Sequence, residues 1–262
     1  MKLFVVSDVH SYFTVMYNAL KEKGFEENNP SHLLVVCGDV FDRGGESLEM
    51  LKYLDSLENV VLIRGNHEDL MDKLLYRQKA TNVDASNGTL RTFNDILYNN
   101  AARYDKDANW FSIVRDIIDP FFFKFVDYFE TKNYVFVHGW IPMKYDTSNE
   151  FAEFGDPTLF DENWRDGDWA SARWFNGVRC AKKGITLPDK TIVCGHWHCS
   201  YGWSRDSMST DDWLTEFGSD AIWEPYRANG VIAIDRCTAH TNEVNVLVLE
   251  DELLEEENNQ ES

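Results

Sequence analysis

The chain has 262 residues, enough for one large α/β domain with a substantial core, and no proline-, glycine- or serine-rich linker divides it. Its 45 acidic against 25 basic side chains leave a formal charge of −20, which argues against nucleic-acid or anionic-membrane partners, since both demand lysine and arginine to displace counterions. Five scattered cysteines without a CxxC are poor material for disulfides, and no segment offers the ~18 unbroken apolar residues of a membrane span, so the sequence points to a cytoplasmic protein.

The chain opens in an apolar, β-branched run, Leu3 to Val6, which reads as a buried strand rather than a signal peptide and stops at Ser7-Asp8-Val9-His10. Between Ser11 and Lys23 the residues Phe13, Met16, Tyr17 and Leu20 share a helical face, with Gly24 as the stop. Leu33 to Cys37 is a second strand, running into Gly38-Asp39-Val40-Phe41-Asp42-Arg43-Gly44, with a return helix over Glu46 to Leu57. Val60 to Ile63 is a third strand, breaking into Arg64-Gly65-Asn66-His67-Glu68 ahead of another helix. Three strand-loop-helix units in succession imply parallel pairing with right-handed crossovers, and in such sheets ligands collect beyond the carboxyl ends of the strands.

Residues 81–120 predict two or three helices, and Phe121 to Tyr128 with Tyr134 to Val137 predict a hairpin ending at His138-Gly139. The stretch 149–188 is loop-rich, with a helix expected over Asp168 to Phe175. Lys190 to Cys194 is a strand ending at Gly195-His196-Trp197-His198, and Gly230 to Asp235 and Val244 to Leu249 supply the last strands. The expected organisation is one catalytic domain over 1–249, decorated by Trp-bearing, loop-rich insertions at about 81–120 and 140–188, then a disordered acidic tail over 250–262.

Seven side chains of metal-ligating type stand at strand ends: Asp8, His10, Asp39, Asn66, His138, His196 and His198. Each alone is weak, but five of the chain's seven histidines (these four and His67) occupy such junctions. Carboxylate, amide oxygen and imidazole without thiolate suit Mn²⁺, Fe or Zn²⁺ in an active centre, not a cysteine-rich structural zinc. Seven donors are too many for one ion of that kind, so two ions sharing Asp39 are expected. Such a pair holds a hydroxide against phosphorus and clamps the phosphoryl oxygens. Arg43 and Arg64, beside these donors, are the natural phosphate clamps, because guanidinium matches a phosphoryl group in shape and charge. His67 is placed to protonate the departing oxygen, Asp42 to orient it, and Glu68 is equally explained by the preference of a helix N-terminus for an acid. Trp140 and Trp197 adjoin proposed ligands and are expected to frame the substrate entrance, favouring an aryl or nucleoside leaving group.

Asp8-Val9-His10, Gly38 to Arg43, Gly65 to Glu68, Val137-His138-Gly139 and Gly195 to His198 resemble, in order and spacing, the five signatures of calcineurin-like metallophosphoesterases across roughly residues 1–200. The forms around Asp39 and Asn66 are most similar to the branch holding serine/threonine protein phosphatases, bacteriophage-type phosphatases and symmetrical diadenosine tetraphosphatases. The resemblance implies an αββα sandwich of two mixed sheets flanked by helices. It implies one ion on Asp8, His10, Asp39 and His198, and another on Asp39, Asn66, His138 and His196. It also gives Arg43, Arg64 and Asn66 to the phosphate. Ser7, Ser11 and Trp140 replace glycines common in that branch, and the second histidine of Gly195-His196-Trp197-His198 is less typical of protein phosphatases.

The sequence therefore predicts a phosphoesterase acting on a phosphomonoester or phosphoanhydride with two metal ions, Mn²⁺ first. Diadenosine polyphosphates and phosphoserine or phosphothreonine proteins are the alternative substrates. A non-catalytic scaffold of the same fold is the competing class, and no expected ligand is missing as that class would require. Oligomeric state is not legible.

Overall fold

The computed structural model describes residues 1–100, 107–144, 159–208 and 214–254. Strands β1 (Lys2–Val6), β2 (His32–Cys37), β3 (Val60–Ile63) and β4 (Phe125–Val126) run parallel in one sheet, whose edge is closed by β12 (Leu247–Glu250), antiparallel to β1. The second sheet has the order β10 (Tyr226–Ala228), β11 (Val231–Ala233), β9 (Thr191–Cys194), β6 (Tyr134–Phe136), β5 (Phe129–Glu130), and its three middle strands are parallel. A short ladder of β7 (Met143–Lys144) and β8 (Leu159–Phe160) stands apart.

Strict alternation along these strands builds three cores. Leu3, Val5, Val35, Cys37 and Ile63 share one with Phe136, Val193, Ile232 and Ile234, which is the space between the sheets. Phe4, Val6, Leu34 and Val36 point the other way, into a core shared with the helices α1 (Phe13–Glu22), α2 (Ser47–Ser56), α3 (Asn66–Arg77), α5 (Thr89–Asn100) and α6 (Trp110–Phe122). On the outer face of the second sheet, Val135, Val137, Ile192, Cys194 and Val231 pack with Trp140, Trp164 and Trp169. Strands buried on both faces read as continuous apolar runs, which is why Leu3 to Val6 and Leu33 to Cys37 show no alternation in sequence. The layers are helices, sheet, sheet and helices: the αββα sandwich.

The middle of the chain departs from expectation. The hairpin predicted from Phe121 does not form, because Phe121 and Phe122 continue the buried face of α6 set by Val114 and Ile118. The strand after that helix, β4, joins the first sheet beside β3, and only Phe129–Glu130 turns back against β6. Residues 81–100 are helical, as α4 (Asn82–Asn87) and α5, and the helix near Asp168 shrinks to α7 (Trp169–Ala172). Two unpredicted helices, α8 (Gly177–Lys182) and α9 (Cys199–Ser207), flank the second sheet, and a one-turn α10 (Thr238–Thr241) follows β11. The start of the expected tail is anchored: Asp251 is buried and accepts hydrogen bonds from the Thr131 hydroxyl (2.6 Å) and the Asn133 amide (2.9 Å). The tail beyond 254, Trp213 and part of the stretch 149–188 lie outside the described residues. Among the described residues, no helix is long and apolar enough to cross a membrane.

Candidate metal centre

The carboxyl ends of β1, β2, β3, β6 and β9 carry the candidate donors to one edge, where His10, Asn66, His138 and His196 gather around Asp39. Asp8 and His10 follow β1, Asp39 follows β2, Asn66 opens α3 after β3, His138 follows β6, and His196 follows β9. The first two loops are zipped together by backbone hydrogen bonds: Asp8 N–H to Gly38 O (3.1 Å), His10 N–H to Asp39 O (3.0 Å) and Gly44 N–H to His10 O (2.8 Å). Asp8, His10, Ser11, Asp39, Asp42, Arg43 and His196 all adopt left-handed backbone conformations, so strain concentrates at this edge. Gly38 (φ +78°) combines that conformation with a close approach: a Cβ there would stand 2.5 Å from His138 Nδ1.

The donor atoms of His10, Asp39 and His67 lie within 4.8 Å of one another, as do those of Asp39, His138 and His196. Asp39 belongs to both groups. His138 Nδ1 donates to Cys37 O (2.9 Å), which leaves Nε2 with its lone pair. That lone pair faces Asn66 Oδ1 at 2.8 Å and Asp39 Oδ1 at 3.3 Å. Three acceptors with no donor between them are mutually repulsive, and a cation reconciles them. His10 repeats the pattern, with Nδ1 donating to Phe41 O (2.9 Å) and Nε2 3.8 Å from Asp39 Oδ2. The residues present therefore fit metal ions on both sides of Asp39, although Asp8 falls outside both groups and its Oδ2 accepts from His196 N–H (2.9 Å).

Electrostatics agree. Burial pulls His10 and His196 down to about 3 and lowers His138 as well, so these imidazoles stay neutral and free to ligate. Burial also pushes the Asp8 carboxyl well up, helped by Asp235 and Asp39. For Asp39, burial is outweighed by His138, His67, His10 and His196, and its carboxyl is held below the usual range.

Around the donors stands a second set of contacts. Glu68 is buried and accepts from Gly65 N–H (2.8 Å), Asp39 N–H (3.1 Å) and Val40 N–H (3.0 Å), clamping the Asp39 loop to the start of α3. His67 N–H donates to Asp39 Oδ1 (3.0 Å), while His67 Nδ1 bonds Asp42 Oδ2 (2.8 Å) and its Nε2 stands 3.3 Å from Arg43 Nη2. Burial lowers the His67 pKa, but Asp39 and the Asp42 hydrogen bond outweigh it and leave it raised.

Three expected positions lie elsewhere. His198 turns away, its Nε2 held by Glu216 at 2.7 Å and its ring packed on Phe217 (4.6 Å) and Trp223 (6.0 Å). Arg64 is committed to Asp69 (2.7 Å) and Asp72 and lies over the Phe122 ring, so its guanidinium is not free for phosphate. Trp140 is wholly buried in the outer core of the second sheet and frames no entrance. Trp197 is half-buried, its ring 6.1 Å from those of both His196 and His198.

Three further residues lie near the candidate donors. Trp174 is 45% exposed with its ring 6.0 Å from His196. Arg173 is buried on Asp69 and Asp127, close enough for its charge to act on His138. Asp235 ends the run after β11, buried, with burial and then Asp39 pushing its carboxyl up to about 7. An aspartate closing the apolar run Val231 to Ile234 is the sequence signal for this buried strand-end carboxylate.

Imidazoles, carboxylates and an amide oxygen gathered at strand ends between two packed sheets define a metallophosphoesterase. The sequence matches the calcineurin-like phosphoesterase family over residues 1–223, and the chain belongs to that family, as its motifs and fold require. It is 30% identical over 99 residues to the symmetrical bis(5'-nucleosyl)-tetraphosphatase of Buchnera aphidicola, covering 37% of this chain and 35% of that one. It is 37% identical over 68 residues to serine/threonine-protein phosphatase 1 of Salmonella typhimurium, covering 26% and 30%. The chain thus matches about a third of the length of either relative. Among solved structures, it is similar to the cold-active protein-tyrosine phosphatase of the psychrophile Shewanella sp. (TM-score 0.44, 19% identity, 95% of this chain and 75% of that one).

Proposed function

We propose that this protein hydrolyses a phosphomonoester or phosphoanhydride at a two-metal centre. The observation that carries this reading is the convergence of the His138 Nε2 lone pair, Asn66 Oδ1 and Asp39 Oδ1 with no proton to share. One ion is assigned to Asp8, His10 and Asp39, the other to Asp39, Asn66, His138 and His196. The donor set suits Mn²⁺ first, with Fe and Zn²⁺ as alternatives. Two ions bound there would lower the pKa of water from ~15.7 toward ~7 and polarise the phosphoryl group.

The chain's own residues do the rest. Arg43, exposed beside the centre, clamps the phosphoryl oxygens, with Asn66 placed to assist from the start of α3. His67, steered by Asp42, carries a proton on Nε2 to the departing oxygen. Trp174 in place of Trp140, together with Trp197, gives the leaving group an aromatic wall.

A dinucleoside polyphosphate is the second substrate reading, favoured by the relative named as a tetraphosphatase and by that aromatic wall; a phosphoprotein is the third. The five free cysteines support a cytoplasmic, reducing setting. Purified without chelator, the protein should hold two metal equivalents and hydrolyse an aryl phosphate. Comparing that substrate with a diadenosine polyphosphate and a phosphopeptide then ranks the three classes. Protein with well under two equivalents and no activity on any of them would return it to the scaffold class.

A further inference from the structure

In a chain of charge −20, Arg64, Arg77, Arg165, Arg173 and Arg236 each hold at least one carboxylate. Arg43 and Arg91 do not. Both are exposed, and among the described residues neither guanidinium has a carboxylate within ion-pair reach. The acidic side chains closest to Arg91 along the chain and beside its contact are engaged elsewhere. Glu46, next to Gly45, accepts from Thr14 N–H (3.0 Å), and Asp95, one turn beyond Arg91, accepts from Leu48 N–H (3.1 Å) and the Asn99 side chain (2.9 Å). Asp84 is taken by Arg77 and by Thr81 at the start of α4.

The two arginines are brought together by the way α5 sits on the Asp42–Arg43 loop. Arg91 lies in the first turn of α5, and its Nη1 donates to the Arg43 carbonyl at 2.8 Å. Two glycines make room for this contact. A Cβ on Gly45 would stand 2.8 Å from Arg91 Nη2, and one on Gly88 (φ +86°), just before α5, would stand 2.4 Å from the Arg43 nitrogen. The Thr89 and Thr92 hydroxyls of the same helix bond the Asp42 carboxylate, so the helix is fastened to the loop on both sides of Arg91. Arg43 in turn points its Nη2 at His67 Nε2 (3.3 Å), which stands 3.8 Å from Asp39 Oδ2. Arg91 thus rests on the backbone of the residue whose side chain reaches into the metal centre, set back from it by about the length of that side chain.

This placement is unfavourable for the protein alone. A cation in the first turn of a helix is opposed by the helix dipole, and holding a long side chain beside a second guanidinium costs rotamer entropy and like-charge repulsion. An anion offsets all three, and the fork of a guanidinium matches a phosphoryl group. One phosphoryl group at the metal centre already occupies Arg43. The backbone bond uses one N–H of Arg91 and leaves the others for a charge further out.

We propose that Arg91 is a specificity-determining residue that binds the phosphoryl group next to the scissile one. The site would then favour linked phosphates, as in the anhydride chain of a nucleoside polyphosphate, over a phosphomonoester. This rests on the phosphoesterase reading above and chooses between its two substrate classes.

The test is inhibition of aryl phosphate hydrolysis with Mn²⁺ kept in excess over the added anion. Imidodiphosphate carries two phosphoryl groups on a non-hydrolysable bridge, and orthophosphate carries one. Wild type should be inhibited more tightly by imidodiphosphate, and Arg91→Gln should shrink the ratio of the two inhibition constants by about 10–100-fold. Arg91→Lys keeps the charge without the fork and should retain part of the ratio. In Arg91→Gln the KM for a diadenosine polyphosphate should rise by a similar factor relative to that for the aryl phosphate. A wild type that does not prefer imidodiphosphate overturns the inference, and so does a wild-type ratio in Arg91→Gln. Equal weakening of both anions also overturns it, because that is the result expected if Arg91 only props the Arg43 loop. Should Arg91→Gln melt far below wild type, a crystal structure of wild type with Mn²⁺ and imidodiphosphate decides: an outer phosphoryl group on Arg91 supports the inference, and one turned away from it refutes it. Wild type inert towards the aryl phosphate and the diadenosine polyphosphate alike would overturn the phosphoesterase reading and this inference with it.

Discussion

His67 Nδ1 stands 2.8 Å from Asp42 Oδ2, with neither side chain more than 2% exposed. Thr89 and Thr92 hydroxyls donate to the two Asp42 oxygens at 2.7 and 2.8 Å, so the carboxylate cannot swing away. The imidazole is thereby fixed with Nε2 toward Arg43 and the Asp39 carboxylate. Asp42 thus fixes the ring's direction, and the proton-donor role proposed for His67 depends on that hold.

The pH profile tests that role. A donor acts only while protonated, so activity should fall as pH rises through the raised pKa of His67. Asp42→Asn removes one of the interactions that raise it, and the falling limb of kcat, measured at saturating Mn²⁺, should move to lower pH. The plateau should drop about 10²-fold or more. A limb that stays in place or moves upward takes His67 out of the proton transfer.

Arg43 and Arg64 should separate cleanly, although the sequence treats them alike. Arg43 is exposed beside the centre, so Arg43→Ala should lower kcat by about 10²–10³ with little change in melting temperature. Arg64 bridges Asp69 and Asp72 over the Phe122 ring. Arg64→Ala should cost about 1–3 kcal/mol of stability and leave kcat nearly unchanged. Paired denaturant melts and steady-state kinetics read both; the reverse pattern would restore Arg64 to the phosphate.

Most of the centre was legible because its donors share one local cause. A buried parallel strand ends, the chain turns sharply, and a polar side chain is left at the edge; Asp8, Asp39, Asn66, His138 and His196 all follow that rule. His198 lies one residue beyond the reach of the rule. It caps the start of α9, and its direction is decided by Glu216, eighteen positions on, which no local pattern encodes. Asp235 also closes a buried strand run, but without a glycine or histidine beside it the run read only as a strand. The aromatic run at Phe121 misled because β propensity and helical burial compete there, and packing against Val114 and Ile118 decided the outcome.

Trp140 and Trp174 make a third contrast. Trp140 is 0% exposed among the second sheet's outer core residues, so Trp140→Ala should cost about 3–5 kcal/mol. The fraction that folds should keep the wild-type KM. Trp174→Ala should instead leave stability almost intact and raise KM for an aryl phosphate more than for a small alkyl phosphate. Equal KM changes on both substrates would remove Trp174 from the leaving-group wall.

Gly38 offers the sharpest separation of backbone strain from metal-site geometry. Its φ of +78° penalises any side chain by roughly 1–2 kcal/mol, and an added methyl would also stand 2.5 Å from His138 Nδ1. That ring nitrogen donates to Cys37 O, so the methyl must either break the hydrogen bond or rotate the ring that aims Nε2 at Asp39. Gly24 has a φ of +83° with nothing within 4 Å of the same methyl, and it supplies the control. Gly24→Ala should show the backbone cost alone and bind Mn²⁺ as wild type does. Gly38→Ala should lose a further ~1–3 kcal/mol to overpacking, and its Mn²⁺ affinity should fall about 10–100-fold. Denaturant unfolding gives the first difference and metal titration the second. Equal stability losses in the two variants, with metal binding intact in both, would mean that His138 is not held in its aim by the loop that carries Asp39.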